Sequence, residues 1–182
     1  MKETIDMNER LIERCLEGDI KAQYQLYKKY SLAMYNIAIR LLNNKMDAED
    51  ILQESFVTAF SRLEELQSRK VFGSWLKRIV INKCISLHRK RKIAFEEIDE
   101  ERHGEPEPRD EGPYELDPSL VHRAIRELPE KGRMVLVLRA LEGCSHKEIA
   151  ESLDISVSTS KTQYSRALSL LHKKLKGKTD DK

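Results

Sequence analysis

Hydrophobic residues recur at intervals of three and four residues along most of this 182-residue chain. Such spacing places them along one side of a helix. In the first half the pattern occurs in four segments, which begin near Asp6, Asp19, Asp47 and Val71. No segment alternates apolar and polar residues with the two-residue period of a strand, so the pattern predicts an all-α protein.

Capping residues refine the predicted starts of these helices. Asp6 and Glu9 have the spacing of a capping box for the first helix, and Asp47 is a candidate N-cap for the third. In the fourth segment, Phe72 and Trp75 fall on the apolar side. On periodicity alone we assign both aromatic side chains to the core.

The second half contains four further helical segments. Pro118 and Pro129 can begin helices, because the first N–H groups of a helix have no acceptor within it. Ser145 and Glu148 form another capping box, and Ser156 can cap the last segment. Only a short corner separates the helices that follow Ser145 and Ser156. This is the helix-turn-helix arrangement, whose second helix enters the DNA major groove.

The last helix has a polar and basic side opposite its apolar side. Residues on or beside this polar side that suit phosphates or base edges are Ser158, Thr159, Lys161, Thr162, Ser165 and Arg166. Ser160 falls on the apolar side, where a back-bond to the carbonyl of Ser156 would satisfy its hydroxyl. An ordinary helical hairpin can also have a polar face. The two aligned caps, the short corner and the absence of acids in the second helix favour DNA binding.

Charge is strongly segregated along the chain, although the net charge is only +2. Residues 66–95 contain nine basic residues and no acidic ones, and residues 155–178 contain six basic residues and again no acids. Between these blocks, residues 96–117 contain eleven acids and two bases. Two basic blocks on either side of an acidic one suggest that a polyanion is contacted at two places.

The acidic segment also divides the chain into domains. It contains three prolines and two glycines and shows no apolar periodicity, so it cannot bury enough surface to offset the entropy of ordering it. We therefore expect two small helical domains, at 1–95 and 117–182, joined by a flexible acidic linker at 96–116.

Several other classes of protein are disfavoured by the composition. No apolar stretch approaches the roughly 20 residues that cross a bilayer, and the first residues lack the apolar core of a signal peptide, so we expect a cytoplasmic protein. Cys15, Cys84 and Cys144 form no CxxC pair and are expected to be free thiols. Cys144 and His146 lack a second pair of metal ligands. Without a visible catalytic triad, metal cluster or phosphate-binding loop, we expect no enzymatic activity and no cofactor.

Read together, the two halves resemble a known family. The stretches DAEDILQESFVTAFSRLEEL and FGSWLKRIVINKCISLHRKRK, then the acidic segment, then LPEKGRMVLVLRALEGCSHKEIAESLDISVSTSKTQYSRALSLLHKKL, resemble bacterial RNA polymerase sigma factors of the sigma-70 family, extracytoplasmic-function (ECF) group. The resemblance covers about residues 11–175. It implies a first domain that binds core polymerase and opens the promoter −10 element, and a second that recognises the −35 element.

The resemblance also implies roles for individual residues and further partners. Asp50, Gln53 and Glu54 would bind the clamp helices of the largest polymerase subunit. Residues expected to contact the −10 element are Ser68, Arg69, Lys70, Asn82 and Lys83. The polar and basic residues of the last helix would contact the −35 element. The flap of the second-largest subunit and an anti-sigma factor are further expected partners.

Two alternative functions remain open at the level of sequence. A transcriptional regulator could use the same helix-turn-helix, and it would bind duplex DNA without polymerase, usually as a dimer on a palindrome. A helical nuclease could bind a metal through Asp47, Glu49 and Asp50. Asp47 and Glu49 are about 200° apart around a helix, which disfavours a shared metal.

Overall fold

The computed structural model describes residues 2–95 and 118–179, with side chains from 8 to 91 and from 118 to 176. Within these ranges the chain forms eight α-helices with short 3₁₀- and π-helical turns and contains no strand, which confirms the all-α prediction. The chain divides into two compact units, Met1–Leu87 and His88–Lys182. The predicted linker at 96–116 lies outside the described residues, so the domain limits derived from sequence stay a prediction.

The first unit is built around four helices, the last of which extends past its limit. They are α1 (Lys2–Leu16), α2 (Ile20–Leu42), α3 (Lys45–Ser61) and α4 (Phe72–Phe95), with 3₁₀ turns at Leu63–Glu65 and Arg69–Val71 between α3 and α4. Helix α2 packs against both α1 and α3. The core of the first unit consists of apolar side chains that include Ile12, Leu26, Leu41, Ile51, Phe56, Phe72, Leu76 and Val80.

Two of the predicted helix starts are wrong. Helix α1 begins at Lys2, so Asp6 lies inside the helix rather than at its cap. The cap of α3 is Asn44, whose Oδ1 accepts a hydrogen bond from the N–H of Asp47 at 3.2 Å. Asn43 adopts a left-handed conformation with φ of 52° and ends α2. The corner between the helices is therefore only two residues long, and α3 begins before the acidic residue that suggested a cap.

Helices α2 and α4 approach closely at Gly73. A Cβ added to Gly73 would lie 2.9 Å from Cε1 of Tyr30, so a larger residue would displace the tyrosine ring. The Tyr30 ring also meets Phe72 edge-on, with 5.4 Å between ring centroids. Phe72 is buried, as predicted, whereas Trp75 is only half-buried. The aromatic residues at the start of α4 thus fix this helix on α2.

The second unit consists mainly of α5 (Pro118–Arg126), α6 (Glu130–Leu136), α7 (His146–Leu153) and α8 (Val157–Thr179). Helix α8 packs against the other three. Their shared core contains Ile125, Leu128, Met134, Val135, Leu138, Ile149, Leu153, Ala167 and Leu171. Gly132 allows α6 to approach α8 closely, because a Cβ at that position would lie 3.2 Å from Cβ of Ala167.

A π-helical turn at Val137–Leu141 continues α6. The N–H of Glu142 donates to the carbonyl of Val137 at 3.1 Å, five residues back. This wider turn rotates the following residues relative to an α-helix. Leu141, at the end of this turn, is 43% exposed. No helix in the described ranges is both long and apolar enough to cross a membrane.

Candidate nucleic-acid interface

The helix-turn-helix is formed by α7 and α8, and both helices are capped by the predicted serines. The Ser145 hydroxyl accepts from the N–H of Glu148 at 3.2 Å, and the Glu148 carboxylate accepts from the N–H of Ser145 at 2.7 Å. Asp154, in a left-handed conformation with φ of 54°, ends α7. The Ser156 hydroxyl then accepts from the N–H of Thr159 at 2.9 Å. These contacts confirm the capping box and fix the corner between the helices.

The predicted −35 residues all lie on the first three turns of α8, and they differ in exposure. Ser158, Lys161 and Thr162 are exposed, whereas Thr159, Ser165 and Arg166 are half-buried. The hydroxyls of Ser158 and Thr159 lie 2.7 and 2.8 Å from that of Ser156, so both belong to the cap of α8. Lys161 and Thr162 are consequently the predicted residues most open to a bound duplex.

Ser160 is held by a partner that the sequence did not suggest. Its side chain is fully buried, and its hydroxyl oxygen lies 3.0 Å from Nδ1 of His146. The carbonyl of Ser156, the predicted partner, accepts the backbone N–H of Ser160 at 3.0 Å. The predicted back-bond is therefore wrong, because the imidazole at the start of α7 reaches the hydroxyl.

Burial, with the nearby positive charges of Arg139 and Lys161, lowers the pKa of His146. A lowered pKa favours the neutral imidazole at pH 7. With its proton on Nε2, a neutral imidazole accepts the O–H of Ser160 at Nδ1. Burial and the nearby positive charges therefore favour the protonation state in which His146 can act as this acceptor.

The loop before α4 contains three predicted −10 residues, Ser68, Arg69 and Lys70, and all three are exposed. Nε of Arg69 lies 3.5 Å from the carboxylate of Glu13, and Nζ of Lys70 lies 3.9 Å from that of Glu9. Both acids belong to α1. The sequence could not show these pairs, because they depend on how α1 packs against the loop.

Asn82 and Lys83, the other predicted −10 residues, lie together in the middle of α4. Asn82 is exposed, whereas Lys83 is partly buried and its Nζ lies 3.2 Å from Oε2 of Glu54 on α3. Glu54 is itself a predicted polymerase contact. The structure thus joins one residue from each predicted site in a single ion pair.

The predicted polymerase-binding residues Asp50, Gln53 and Glu54 are all exposed on α3. Two apolar side chains that sequence reasoning missed, Met46 and Val57, are 73% and 70% exposed. Met46 precedes Asp50 by four residues, and Val57 follows Gln53 by four, so they share a face with these polar residues. Their position off the apolar stripe was the signal that could have identified them.

The nuclease alternative requires a metal site. In the ranges 2–95 and 118–179, no group of three or more His, Cys, Asp or Glu side chains could hold a metal ion. Cys15 and Cys84 are buried, and burial raises the pKa of their thiols to about 11 and about 12. Protonated, buried thiols behave as small apolar core residues.

Two sequence families match this chain in separate segments. The description "Sigma-70 region 2" applies to residues 26–93, which include α3 and most of α4, and "Sigma-70, region 4" applies to residues 119–171, which include the helix-turn-helix. The "ECF RNA polymerase sigma factor SigW" of Bacillus subtilis is 31% identical, over 93% of this chain and 97% of that protein. The chain belongs to the ECF sigma factors. It is therefore a transcription initiation factor that binds core RNA polymerase and directs it to promoter DNA.

A further sigma factor and two solved structures resemble this chain along most of its length. The "RNA polymerase sigma-H factor" of Pseudomonas aeruginosa is 29% identical over 94% of this chain and 95% of its own. The structure of CnrH in complex with the cytosolic domain of CnrY has a TM-score of 0.52 and 26% identity, and it covers 93% of this chain and 97% of CnrH. RpoE of Bartonella quintana, solved with the anti-sigma factor NepR, shares the fold at 24% identity and a TM-score of 0.51, over 86% of this chain and 98% of RpoE.

Proposed function

We propose that this ECF sigma factor divides its contacts among three helical surfaces. Helix α3 binds core RNA polymerase, α4 and the loop before it contact the −10 element, and α8 recognises the −35 element. The observation that carries this proposal is the match to sigma-70 regions 2 and 4, in that order, on two separate helical units. Each proposed contact residue lies in one of these two matches.

Recognition of the −35 element is assigned to the start of α8. A recognition helix enters the major groove with its early residues toward the base edges. Lys161 and Thr162 are exposed there and can donate hydrogen bonds to base edges or phosphates. Ser158, Thr159, Ser165 and Arg166 lie around them and can contact the phosphate backbone or neighbouring bases. The absence of acids from residues 155–178 avoids repulsion of the DNA.

Strand opening at the −10 element is assigned to Ser68, Arg69, Lys70, Asn82 and Lys83. Capture of unstacked bases supplies the energy for opening, at about 1 to 3 kcal/mol for each stacked base. Binding phosphate would require Arg69, Lys70 and Lys83 to exchange their carboxylate partners Glu13, Glu9 and Glu54. Pairs that are accessible to solvent on at least one side, as these are, contribute only about 0 to 1 kcal/mol, so the exchange costs little. Trp75 is half-buried and is assigned to packing.

Polymerase binding is assigned to the exposed face of α3. Asp50, Gln53 and Glu54 supply negative and polar groups, and Met46 and Val57 supply apolar area beside them. The proposed partner of this face is the pair of clamp helices of the largest polymerase subunit. The C-terminal unit is proposed to contact the flap of the second-largest subunit.

The finer features of the family are also proposed for this chain. We infer that it acts in the cytoplasm, has no enzymatic activity of its own and needs no cofactor, because its role is to bind polymerase and DNA. An anti-sigma factor is proposed as a further partner, since CnrH was solved in complex with the cytosolic domain of another protein.

Run-off transcription tests the proposed function directly. Purified core RNA polymerase is assayed on genomic promoter fragments with and without this protein. We expect specific transcripts that core polymerase alone does not produce. If an active core polymerase gives no specific transcript, and this protein instead binds duplex fragments as a dimer without polymerase, the regulator hypothesis replaces the proposal.

A further inference from the structure

One side chain, His146, joins the two helices of the helix-turn-helix. It is the first residue of α7, and its Nδ1 lies 3.0 Å from the hydroxyl oxygen of Ser160 on α8. Its ring also meets Tyr164 edge-on, with 5.6 Å between centroids and an angle of 76° between planes. Ser160 and Tyr164 are one turn apart, so His146 contacts two successive turns of the recognition helix.

The hydrogen bond to Ser160 is directional and buried. Ser160 is fully inaccessible to solvent, and a buried hydroxyl without a partner is costly. An apolar pair at this position would also fill the space, but it would tolerate rotation of α8 about its axis more readily. A hydrogen bond weakens steeply as its angle departs from linearity, so it restricts that rotation.

His146 is itself held in a fixed position. The residue before it, Ser145, and the glutamate two residues after it, Glu148, form the reciprocal capping box of α7. The hydroxyl of Ser156 fixes the start of α8 four residues before Ser160. His146 therefore connects two capped helices. Its hydrogen bond to Ser160 limits how far α8 can rotate about its axis relative to α7.

The rotation of α8 about its own axis decides which of its side chains face a bound duplex. Lys161 directly follows Ser160, and Thr162 follows Lys161; both are exposed. Successive residues are about 100° apart around a helix, so a small rotation about the axis moves both side chains across the groove. Misplacement of a contacting group by about 1 Å is enough to impair a precisely oriented site.

We propose that His146 is a positioning residue for −35 recognition. Its hydrogen bond to Ser160 and its ring contact with Tyr164 set the rotation of α8, and thereby the base pairs that Lys161 and Thr162 reach. This inference rests on the proposed assignment of α8 to the −35 element.

Three variants separate positioning from packing. His146→Phe keeps an aromatic ring beside Tyr164 but removes the hydrogen bond to Ser160. His146→Asn loses the ring but places an amide where Nδ1 lies. The double variant His146→Ala with Ser160→Val removes both polar partners, so no buried hydroxyl is left unsatisfied.

The assay uses holoenzyme assembled from core polymerase and full-length protein. The template is a promoter fragment that is active with the wild-type protein, with its −35 segment randomised, and sequencing of the transcripts gives the base preference. We expect His146→Phe to lower transcription from the preferred −35 sequence by about five- to tenfold and to flatten the preference. His146→Asn is expected to retain most of the wild-type transcription level and most of the wild-type base preference.

The double variant gives the decisive result. Positioning by His146 predicts that it folds with nearly wild-type thermal stability yet has an altered base preference. A purely structural role predicts that stability and preference recover together, and that outcome would overturn the proposal. An unchanged preference in folded His146→Phe would overturn it as well. Should His146→Phe fail to fold, the double variant alone decides.

A parallel arm with Lys161→Ala separates this inference from the proposed function. If Lys161→Ala changes the base preference and the His146 variants do not, α8 recognises the −35 element without positioning by His146. If no His146 variant changes the preference, and Lys161→Ala changes neither the preference nor the level of transcription from the −35 element, the assignment of α8 itself is wrong. Equal binding of core polymerase by all variants is the control for this comparison.

Discussion

Single capping side chains stabilise the helix-turn-helix at its ends. Ser145 satisfies the N–H of Glu148, and Glu148 in turn satisfies the N–H of Ser145. We expect Ser145→Ala to reduce the free energy of local unfolding of α7 by about 1 kcal/mol, since it removes the cap acceptor. Hydrogen exchange of the α7 amides in the full-length protein measures this change. Ser145→Asp, which keeps an acceptor, is the matched control and should protect these amides nearly as well as serine.

Residue-scale interpretation from sequence succeeded where both partners are near in the chain. Ser145 with Glu148, and Ser156 with Thr159, are three residues apart, and both caps form as predicted. The partner of Ser160 was mispredicted because the search was limited to its own helix. His146 is fourteen residues away, and only the angle between α7 and α8 brings its ring to the hydroxyl.

At the scale of elements, α8 is expected to carry −35 recognition separately from polymerase binding. Replacing Lys161 or Arg166 with alanine should weaken the use of the −35 element while the affinity for core polymerase stays unchanged. Run-off transcription and a core-binding assay measure the two effects. Lys173→Ala, which removes an exposed lysine about 18 Å further along the same helix, is the matched control. An equal loss of core binding in a folded Lys161 or Arg166 variant would contradict the assignment.

Substitutions on helix α3 are expected to impair polymerase binding before they impair −35 recognition. Asp50→Ala should lower the affinity for core polymerase first, because Asp50 lies on the exposed face between Met46 and Val57. Titration of labelled protein with core polymerase measures this affinity. Glu17→Ala removes an exposed acid outside α3 and serves as the control. Unchanged affinity in Asp50→Ala would remove α3 from the proposed polymerase contact.

The ion pair between α3 and α4 allows a quantitative prediction. Nζ of Lys83 and Oε2 of Glu54 are 3.2 Å apart, and Glu54 is mostly exposed. Water and salt screen such a pair, so a double-mutant cycle with Glu54→Gln and Lys83→Met should give a coupling of less than about 1 kcal/mol in the free energy of unfolding. Lys83 would then be available to phosphate at low cost. A coupling of several kcal/mol would instead make Lys83 a structural residue and exclude it from the −10 contacts.

Helix boundaries show the limit of sequence interpretation at this scale. The periodicity identified all eight helices, but Asp47 suggested a start for α3 that lies too far along the chain. Asn44, not Asp47, caps α3 because α2 ends in a left-handed residue immediately before it. The π-helical turn after α6 is a further feature that no periodicity rule predicts.

For the molecule as a whole, segregated charge matters more than the net value of +2. Basic residues at both proposed DNA contacts should release counterions when the holoenzyme binds a promoter. We expect the logarithm of promoter affinity to fall linearly with the logarithm of salt concentration, with a slope of roughly 0.9 for each phosphate contact. Binding of a labelled promoter fragment across a salt series measures the slope.

A comparison of variants tells whether Lys161 contributes to this whole-molecule effect through a phosphate. If it contacts a phosphate, Lys161→Ala should reduce the salt slope by about 1 and weaken binding to all sequences alike. If it contacts a base edge, the slope should change little, and the preference at one position of the −35 element should relax. Lys173→Ala is again the control. If alanine variants in both proposed DNA-binding regions leave the salt slope unchanged, these regions do not contact the DNA electrostatically.

The sequence by itself determined the helices, the caps of the helix-turn-helix, the alternation of basic and acidic blocks, and the order of motifs that identifies an ECF sigma factor. These features depend on residues that are neighbours along the chain or on one helix. Tertiary structure alone decided which helices face each other, and so created the pairs Glu54–Lys83, Glu13–Arg69 and His146–Ser160. The reason is geometric: periodicity specifies which side of a helix is buried, but only packing specifies which side chain lies opposite.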